Sequence, residues 1–202
     1  ILSYQTEHGA WPKNTDTVQR PYQGAKNDLK PTFDNGATMD ELRFLARCYM
    51  ATKNAMYGKA FQKGLDYIFI AQYPNGGWPQ YYPLSKQYHR HITFNDGTMV
   101  RVMEFLREVS RDPVYGFVAA GDRKKAAAAF DKGVDCILRC QIRINGKLTV
   151  WCAQHDEVTL APATARSYEL PSLSGSESVG ITRLLMSVEK PRAEIITAVD
   201  AA

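Results

Sequence analysis

The sequence has no apolar run approaching the roughly 18–20 residues of a membrane span, which argues against a membrane partner. It has no cluster of basic residues of the kind that tracks a phosphate backbone, and that argues against nucleic acid. Cysteine is sparse: Cys48, Cys136, Cys140 and Cys152 include no C-x-x-C pair. Cys136 and Cys140 fall four apart on a helical stretch, a poor spacing for a disulfide, so all four read as small buried thiols. There is no H-E-x-x-H zinc motif, no EF-hand loop and no G-x-S-x-G nucleophile elbow. His155-Asp156 and the serines at 172–178 therefore do not read as a hydrolase triad, and His89 with His91 does not make a zinc site. Strand signals are also few; only Lys147–Cys152 alternates convincingly.

What the chain does have is enough length for one well-buried domain. Its 202 residues are 45% hydrophobic and 23% charged, with a net charge of +4, values compatible with an anionic ligand.

Its main feature is a repeat. Lys63-Gly64-Leu65-Asp66-Tyr67-Ile68-Phe69-Ile70-Ala71-Gln72 matches Lys132-Gly133-Val134-Asp135-Cys136-Ile137-Leu138-Arg139-Cys140-Gln141, and Ile1–Gln5 fits the end of the same pattern. Gln5 leads to Trp11, Gln72 to Trp78 and Gln141 to Trp151, so the three tryptophans of the protein occupy equivalent positions. Gly and Pro between Gln and the residues after Trp stop one helix and turn the chain. A polar loop follows, then a second helix headed by Thr or Ser in N-cap position.

The pattern predicts first helices over Lys59–Gln72 and Arg123–Gln141. Second helices fall over Thr38–Ala51, Thr98–Val109 and Ser178–Val188. Helix pairs recurring every ~70 residues stack side by side and curve into a ring. The expected fold is all-α, an α/α toroid of repeated helix hairpins with minor short strands. Ile1 falls inside what should be a first-repeat helix, and Ala193–Ala202 reads as the start of another. The expectation is thus a single domain over 1–202, truncated at both termini, with an incomplete ring that leaves apolar helix faces uncovered.

Three polar segments precede the second helices: Phe33–Thr38, His91–Thr98, and the stretch from Trp151 through Arg166-Ser167-Tyr168-Glu169 to Glu177. In a ring of hairpins they face one mouth, where Asp34 and Asp96 would converge. Carboxylate and amide oxygens on loops suit a hard cation such as Ca²⁺; equally, Asx residues before a helix serve as caps. Arg166 fits either a solvated surface or a functional mouth. Trp78 with Tyr81-Tyr82 fits either a sugar-stacking platform or a turn lock.

These motifs together resemble one family, the pectate lyases of polysaccharide lyase family 10. The matching stretches are Gly9-Ala10-Trp11-Pro12-Lys13-Asn14, Asp34-Asn35-Gly36-Ala37-Thr38, Gly76-Gly77-Trp78-Pro79-Gln80, His91-Ile92-Thr93-Phe94-Asn95-Asp96, Trp151-Cys152-Ala153-Gln154-His155-Asp156, and Ala165-Arg166 through Ile181. The resemblance implies calcium-dependent β-elimination of polygalacturonate. It implies that Arg166 is the base, with Asp34 also catalytic, and that Asp34 and Asp96 are calcium-linked carboxylates. Asn35, Lys13 and Asn95 would contact substrate. It also implies a monomeric enzyme that is secreted or periplasmic, since its substrate lies outside cells, and a second acidic residue where Gly97 stands. The readings set against it are a non-catalytic carbohydrate-binding toroid and a triterpene-cyclase-like toroid. The latter shares the Q-x3-G-x-W turn but needs an acidic D-x-D-D cluster that this chain lacks.

Overall fold

The computed structural model describes residues 1–202 and is predominantly helical. The helices are α1 (Met39–Thr52), α2 (Ala55–Ala71), α3 (Thr98–Arg111), α4 (Ala120–Cys140), α5 (Gly175–Met186) and α6 (Ala193–Asp200). Four two-residue strands accompany them: β1 (Ile92–Thr93), β2 (Arg143–Ile144), β3 (Lys147–Leu148) and β4 (Gln154–His155). No helix is long and apolar enough to cross a membrane.

Local chemistry sets these bounds. Glu41 accepts a 2.8 Å bond from the Thr38 N–H, and Asp40 with Glu41 places negative charge at the positive end of α1. Lys53 closes α1 in the left-handed region, and Asn54 Oδ1 then caps α2 by accepting from the Met56 N–H at 3.0 Å. Helix α1 packs on α2, α3 on α4 and α5 on α6, while α1, α3 and α5 touch in series. A single hydrophobic core runs from Tyr4 to Ala198 through all six helices. This is the hairpin succession of an α/α toroid. Val179 and Met186 on α5 and Ile196 on α6 remain half-exposed or more.

The repeat is explained by three copies of one hydrogen-bonded lock. The Gln5 amide donates to the Gly9 carbonyl (2.7 Å) and to that of Ala60 in the next hairpin (2.8 Å). Gln72 does the same to Gly76 (3.0 Å) and Ala129 (2.9 Å), and Gln141 to Thr149 and Ala198 (both 2.8 Å). Each Trp indole N–H donates to the carbonyl four residues before its Gln: Trp11 to Ile1, Trp78 to Ile68, Trp151 to Ile137. All three indoles are fully buried. At Gly76, φ is +97° and an added Cβ would overlap the Lys132 carbonyl; Gly9 stands the same way against Lys63. The first two turns thus rest on the Lys-Gly pair of the following repeat, and this contact is what the repeated Lys-Gly motif encodes.

Several expectations need correction. Ile1–Gln5 holds a short 3₁₀ turn at Leu2–Tyr4 in place of a helix. The proposed strand Lys147–Cys152 shrinks to Lys147–Leu148, paired with Arg143–Ile144 across an Asn145-Gly146 turn whose residues both have positive φ. Beyond Leu148 the pairing becomes irregular, with the Thr149 N–H donating to the Ile142 carbonyl and the Ile142 N–H to that of Val150, so two residues oppose one. The three hydroxyl residues ahead of the second helices are not a set of caps. Thr38 Oγ1 accepts from the Trp11 backbone N–H, and Ser178 Oγ from that of Trp151, both at 3.1 Å. Ser178 lies inside α5, whose N-cap is Ser174, and Thr98 is the first residue of α3 rather than its cap.

Candidate active site

The polar segments converge where neighbouring repeats are stitched together. The Phe33 N–H donates to the Gln80 carbonyl at 3.1 Å, and the Phe94 N–H to that of Ala153 at 2.8 Å. Strand β1 pairs antiparallel with β4, with Ile92 opposite His155 and Thr93 opposite Gln154. These bonds bring two 3₁₀ turns, Asp34–Gly36 and Asn95–Gly97, against one another.

The turns share a backbone. Phe33 and Phe94 enter in the right-handed region, Asn35 and Asp96 both have φ of 53°, and a glycine with positive φ follows each. Asn and Asp are the side chains that tolerate this conformation best. The register pairs Asn35 with Asp96 and Asp34 with Asn95, so the two aspartates are not positional equivalents. Neither caps a helix: α1 and α3 take Thr38 and Gly97 as their N-cap residues.

Asp34 is almost wholly buried. Its Oδ2 accepts from the Lys13 ammonium and, at 2.7 Å, from the Gln80 amide. Its Oδ1 is buried and has no partner. A lone buried carboxylate oxygen is costly unless something donates to it or coordinates it. Burial pushes the Lys13 ammonium down, but the bond and charge of Asp34, with help from Tyr81, outweigh it and hold the group above its ordinary value. Lys13 is therefore a full cation, its Nζ 6.0 Å from the centre of the Tyr81 ring.

Asp96 is exposed, and its Oδ2 accepts from Asn95 Nδ2 at 2.7 Å. Asn35 donates to Asn14 Oδ1 at 3.0 Å. Gly97 stands with φ of +69° and open space around a would-be Cβ, so no second carboxylate is present there.

Arg166 belongs to the third polar segment, whose Tyr168 and Glu169 line a depression together with Asn95. Its Nε and Nη2 bind the two Glu169 oxygens at 2.7 and 2.5 Å, and its backbone N–H adds a third bond to the same carboxylate. The guanidinium also covers the Tyr168 ring at 4.9 Å. The bond to Glu169 raises the Arg166 pKa further and holds the Glu169 carboxyl down at about 2. Arginine as a base requires the opposite shift, so Arg166 is fully protonated in this conformation. The Tyr88 phenol is pushed up chiefly by burial, with Arg166, Glu169 and Lys13 contributing to its field. Asn95, Tyr168 and Glu169 line a shared depression of about 330 Å³.

Gln80, Tyr88 and Glu169 are site residues that the sequence reading did not single out. Gln80 sits two residues after Trp78, where the repeat alone offered a signal.

Other readings find no support in the geometry. His155 is fully buried; its Nε2 accepts from the Cys152 N–H at 3.1 Å, which leaves Nδ1–H to donate to the Leu160 carbonyl at 2.9 Å. Both ring nitrogens are used, and burial lowers the imidazole pKa, so His155 is a neutral structural residue. The tryptophans offer no face to a sugar. The four cysteines are free thiols.

Residues 5–202 match the pectic acid lyase family. No curated protein matches the chain. Among solved structures, a family 10 polysaccharide lyase from Cellvibrio cellulosa is 42% identical over the whole of this chain with a TM-score of 0.90. A mutant of it in complex with trigalacturonic acid aligns with the same identity and TM-score. This chain spans 62–63% of the length of those proteins. On the match of sequence and fold together, the chain belongs to the pectic acid lyase family.

Proposed function

We propose that this chain carries the chemistry of a calcium-dependent pectate lyase, cleaving polygalacturonate by β-elimination. The observation that carries the proposal is the Asp34 carboxylate: buried, anchored through one oxygen by Lys13 and Gln80, and left with the other unpartnered beside the Asp96 turn. Oxygen donors of this kind fit a hard cation. Asp34 Oδ1 and the Asp96 carboxylate would hold Ca²⁺, which when bound neutralises a substrate carboxylate and makes the adjacent C–H more acidic. The solved relative bound to trigalacturonic acid supports the choice of polymer.

In the proposed reaction Arg166 takes the proton from C5 of a galacturonate unit. The C5–H electron pair becomes the C4=C5 double bond, the C4–O4 bond breaks, and the departing oxygen takes a proton from water. Lys13, Asn35 and Asn95 sit where they can orient the sugar. Glu169 sets the condition for the base: its ion pair must open before the guanidinium can give up a proton, and an incoming uronate competes for the same N–H groups. A high pH optimum follows. Such a polymer is met outside the cytoplasm, so the proposal includes a secreted or periplasmic enzyme.

Incubation with polygalacturonate, with added Ca²⁺ or with chelator, tests the reading through the ultraviolet absorbance of the unsaturated product. Turnover should require the cation, and Arg166→Ala should lower kcat by about 10²–10⁴, the range of general base catalysis, while oligogalacturonate still binds. Equal rates in chelator, or an activity maximum near pH ~5, a pH at which arginine (pKa above about 12) is never neutral, would sink the assignment.

A further inference from the structure

The largest cleft of the molecule adjoins the mouth without being part of it. It holds about 720 Å³, within the range of ligand sites, between the Lys26–Pro31 segment and the Tyr81–His89 segment. Only three of its 15 lining residues are hydrophobic, so it is not a site for an apolar ligand. We propose that this cleft is a distal uronate-binding subsite that lengthens the polyanion gripped by the chain; the inference rests on the galacturonan reading above.

Charge is the first argument. Lys26, Lys30 and Lys86 line the cleft, against Glu7 as its one acid. Lys26 donates to the backbone carbonyls of Ser3 and Gln5, which orient its ammonium without cancelling its charge. Lys30 and Lys86 are exposed and form no ion pair. Arg43, Arg90 and Arg192 are matched by Glu108, Glu157 and Asp135, whereas other lysines, Lys124 and Lys190 among them, are also unpaired; what sets the cleft apart is that three lysines share one concave surface. A concave surface that gathers uncompensated positive charge focuses its field on an anion.

Continuity is the second. Tyr81 and His89 belong to the cleft wall and also face the Lys13–Asp34 pair. Tyr81 meets His89 edge-on at 5.0 Å, and Tyr88 stacks on His89 at 4.0 Å. The three rings form an aromatic ledge between the mouth and the lysines, suited to the C–H face of a sugar. Burial first, and then the charge of Lys13, hold His89 toward its neutral form, so the ledge adds hydrogen-bonding capacity without a further fixed charge. A chain with one carboxylate per sugar can leave Lys13, cross this ledge and end among Lys30 and Lys86.

The test compares trigalacturonate with hexagalacturonate for the wild type and for Lys30→Ala/Lys86→Ala. Both lysines are exposed, so folding should be retained. The hexamer-to-trimer ratio of kcat/KM should fall about 10-fold, as expected for the loss of two exposed charge contacts. Lys124→Ala/Lys190→Ala, which removes the same charge from exposed positions outside the cleft, should leave the ratio unchanged. Calorimetric titration with the two oligomers gives a second readout that does not need turnover: the wild type should prefer the hexamer, and the cleft variant should lose that preference. A ratio and a preference unmoved by the cleft variant, or moved equally by the control, would overturn the subsite. A hexamer preference that depends on the cleft lysines, in a protein without turnover, would sink the lyase reading and leave the subsite standing.

Discussion

The Gln–Trp turns and the mouth loops are built on the same threefold repeat, yet they treat it differently. At the turns, each copy makes the same bonds, amide to two carbonyls and indole to a third, and in the first two copies a glycine also stands against the next Lys-Gly pair. At the mouth the backbone still repeats, with φ of 53° at both Asn35 and Asp96, but the chemistry does not. One turn buries its carboxylate and the other exposes it; the third segment lacks such a turn and presents Arg166 clamped by Glu169. Saturated, identical bonding marks the scaffold. Departure from the repeat, with a buried oxygen left unpartnered, marks the site.

The sharpest way to break that comparison is at the scaffold. Gly76→Ala forces a Cβ into the Lys132 carbonyl at a φ of +97°. We expect a loss of about 3 kcal/mol or more, a fall in Tm of roughly 6–12 °C for a domain of this size. Gly146→Ala is the control: its φ is also positive, at +79°, but nothing stands within 4 Å of the added carbon. That change should cost only about 1 kcal/mol. Equal Tm values for the two variants would show that the interlock with the next repeat contributes little.

At the mouth the expected effects shift from stability to binding. Asp34→Asn keeps the shape of the side chain but removes its charge from a buried setting, where Coulomb attraction to a cation is strongest. Ca²⁺ affinity measured by calorimetry should fall about 10–100-fold, and Asp96→Asn, on the exposed turn, should cost less. If the Asp96 variant lost more than the Asp34 variant, the unpartnered Oδ1 would not be the principal ligand.

The difference between the two regions also explains what was legible in the sequence. The locks use residue types that recur at fixed spacing, so Gln72, Trp78 and Gln141 announced the hairpins before any coordinates. The helix bounds were recovered to within about four residues, the largest misses falling at the start of α2, and only the Ile1–Gln5 turn was no helix of this kind. The strand at Lys147 was overread because alternation does not reveal that Thr149 and Val150 both pair with Ile142, which ends the regular ladder. At the mouth, the polar loops together with the family resemblance pointed to Asp34, Asp96 and Arg166, but not to their environments. That Asp34 aligns with Asn95, and is buried, depends on which Asx precedes the left-handed residue. The partners Gln80 and Glu169 had no signal of their own, because an ion pair three residues apart in a loop follows no periodicity.

That ion pair supplies the finest test. Glu169, with its pKa depressed to about 2, stays ionised throughout the working range and holds Arg166 protonated. The depressed carboxyl and the raised guanidinium describe one interaction, whose contribution is present above pH ~4.5, the ordinary carboxyl value, and is lost as the pH falls toward about 2. Raising the pH does not release the arginine until its own elevated pKa is approached. Glu169→Gln removes the charge but keeps an amide able to accept a hydrogen bond, so the Arg166 pKa should fall. If neutral Arg166 is the base, the alkaline rise in kcat should move to lower pH, by about one unit for each ~1.4 kcal/mol of attraction removed. Because Arg166 is exposed and Glu169 only partly buried, the shift should be small and should shrink in high salt. A profile that stays in place, or moves to higher pH, would separate Glu169 from the proton transfer and reduce its role to holding the loop.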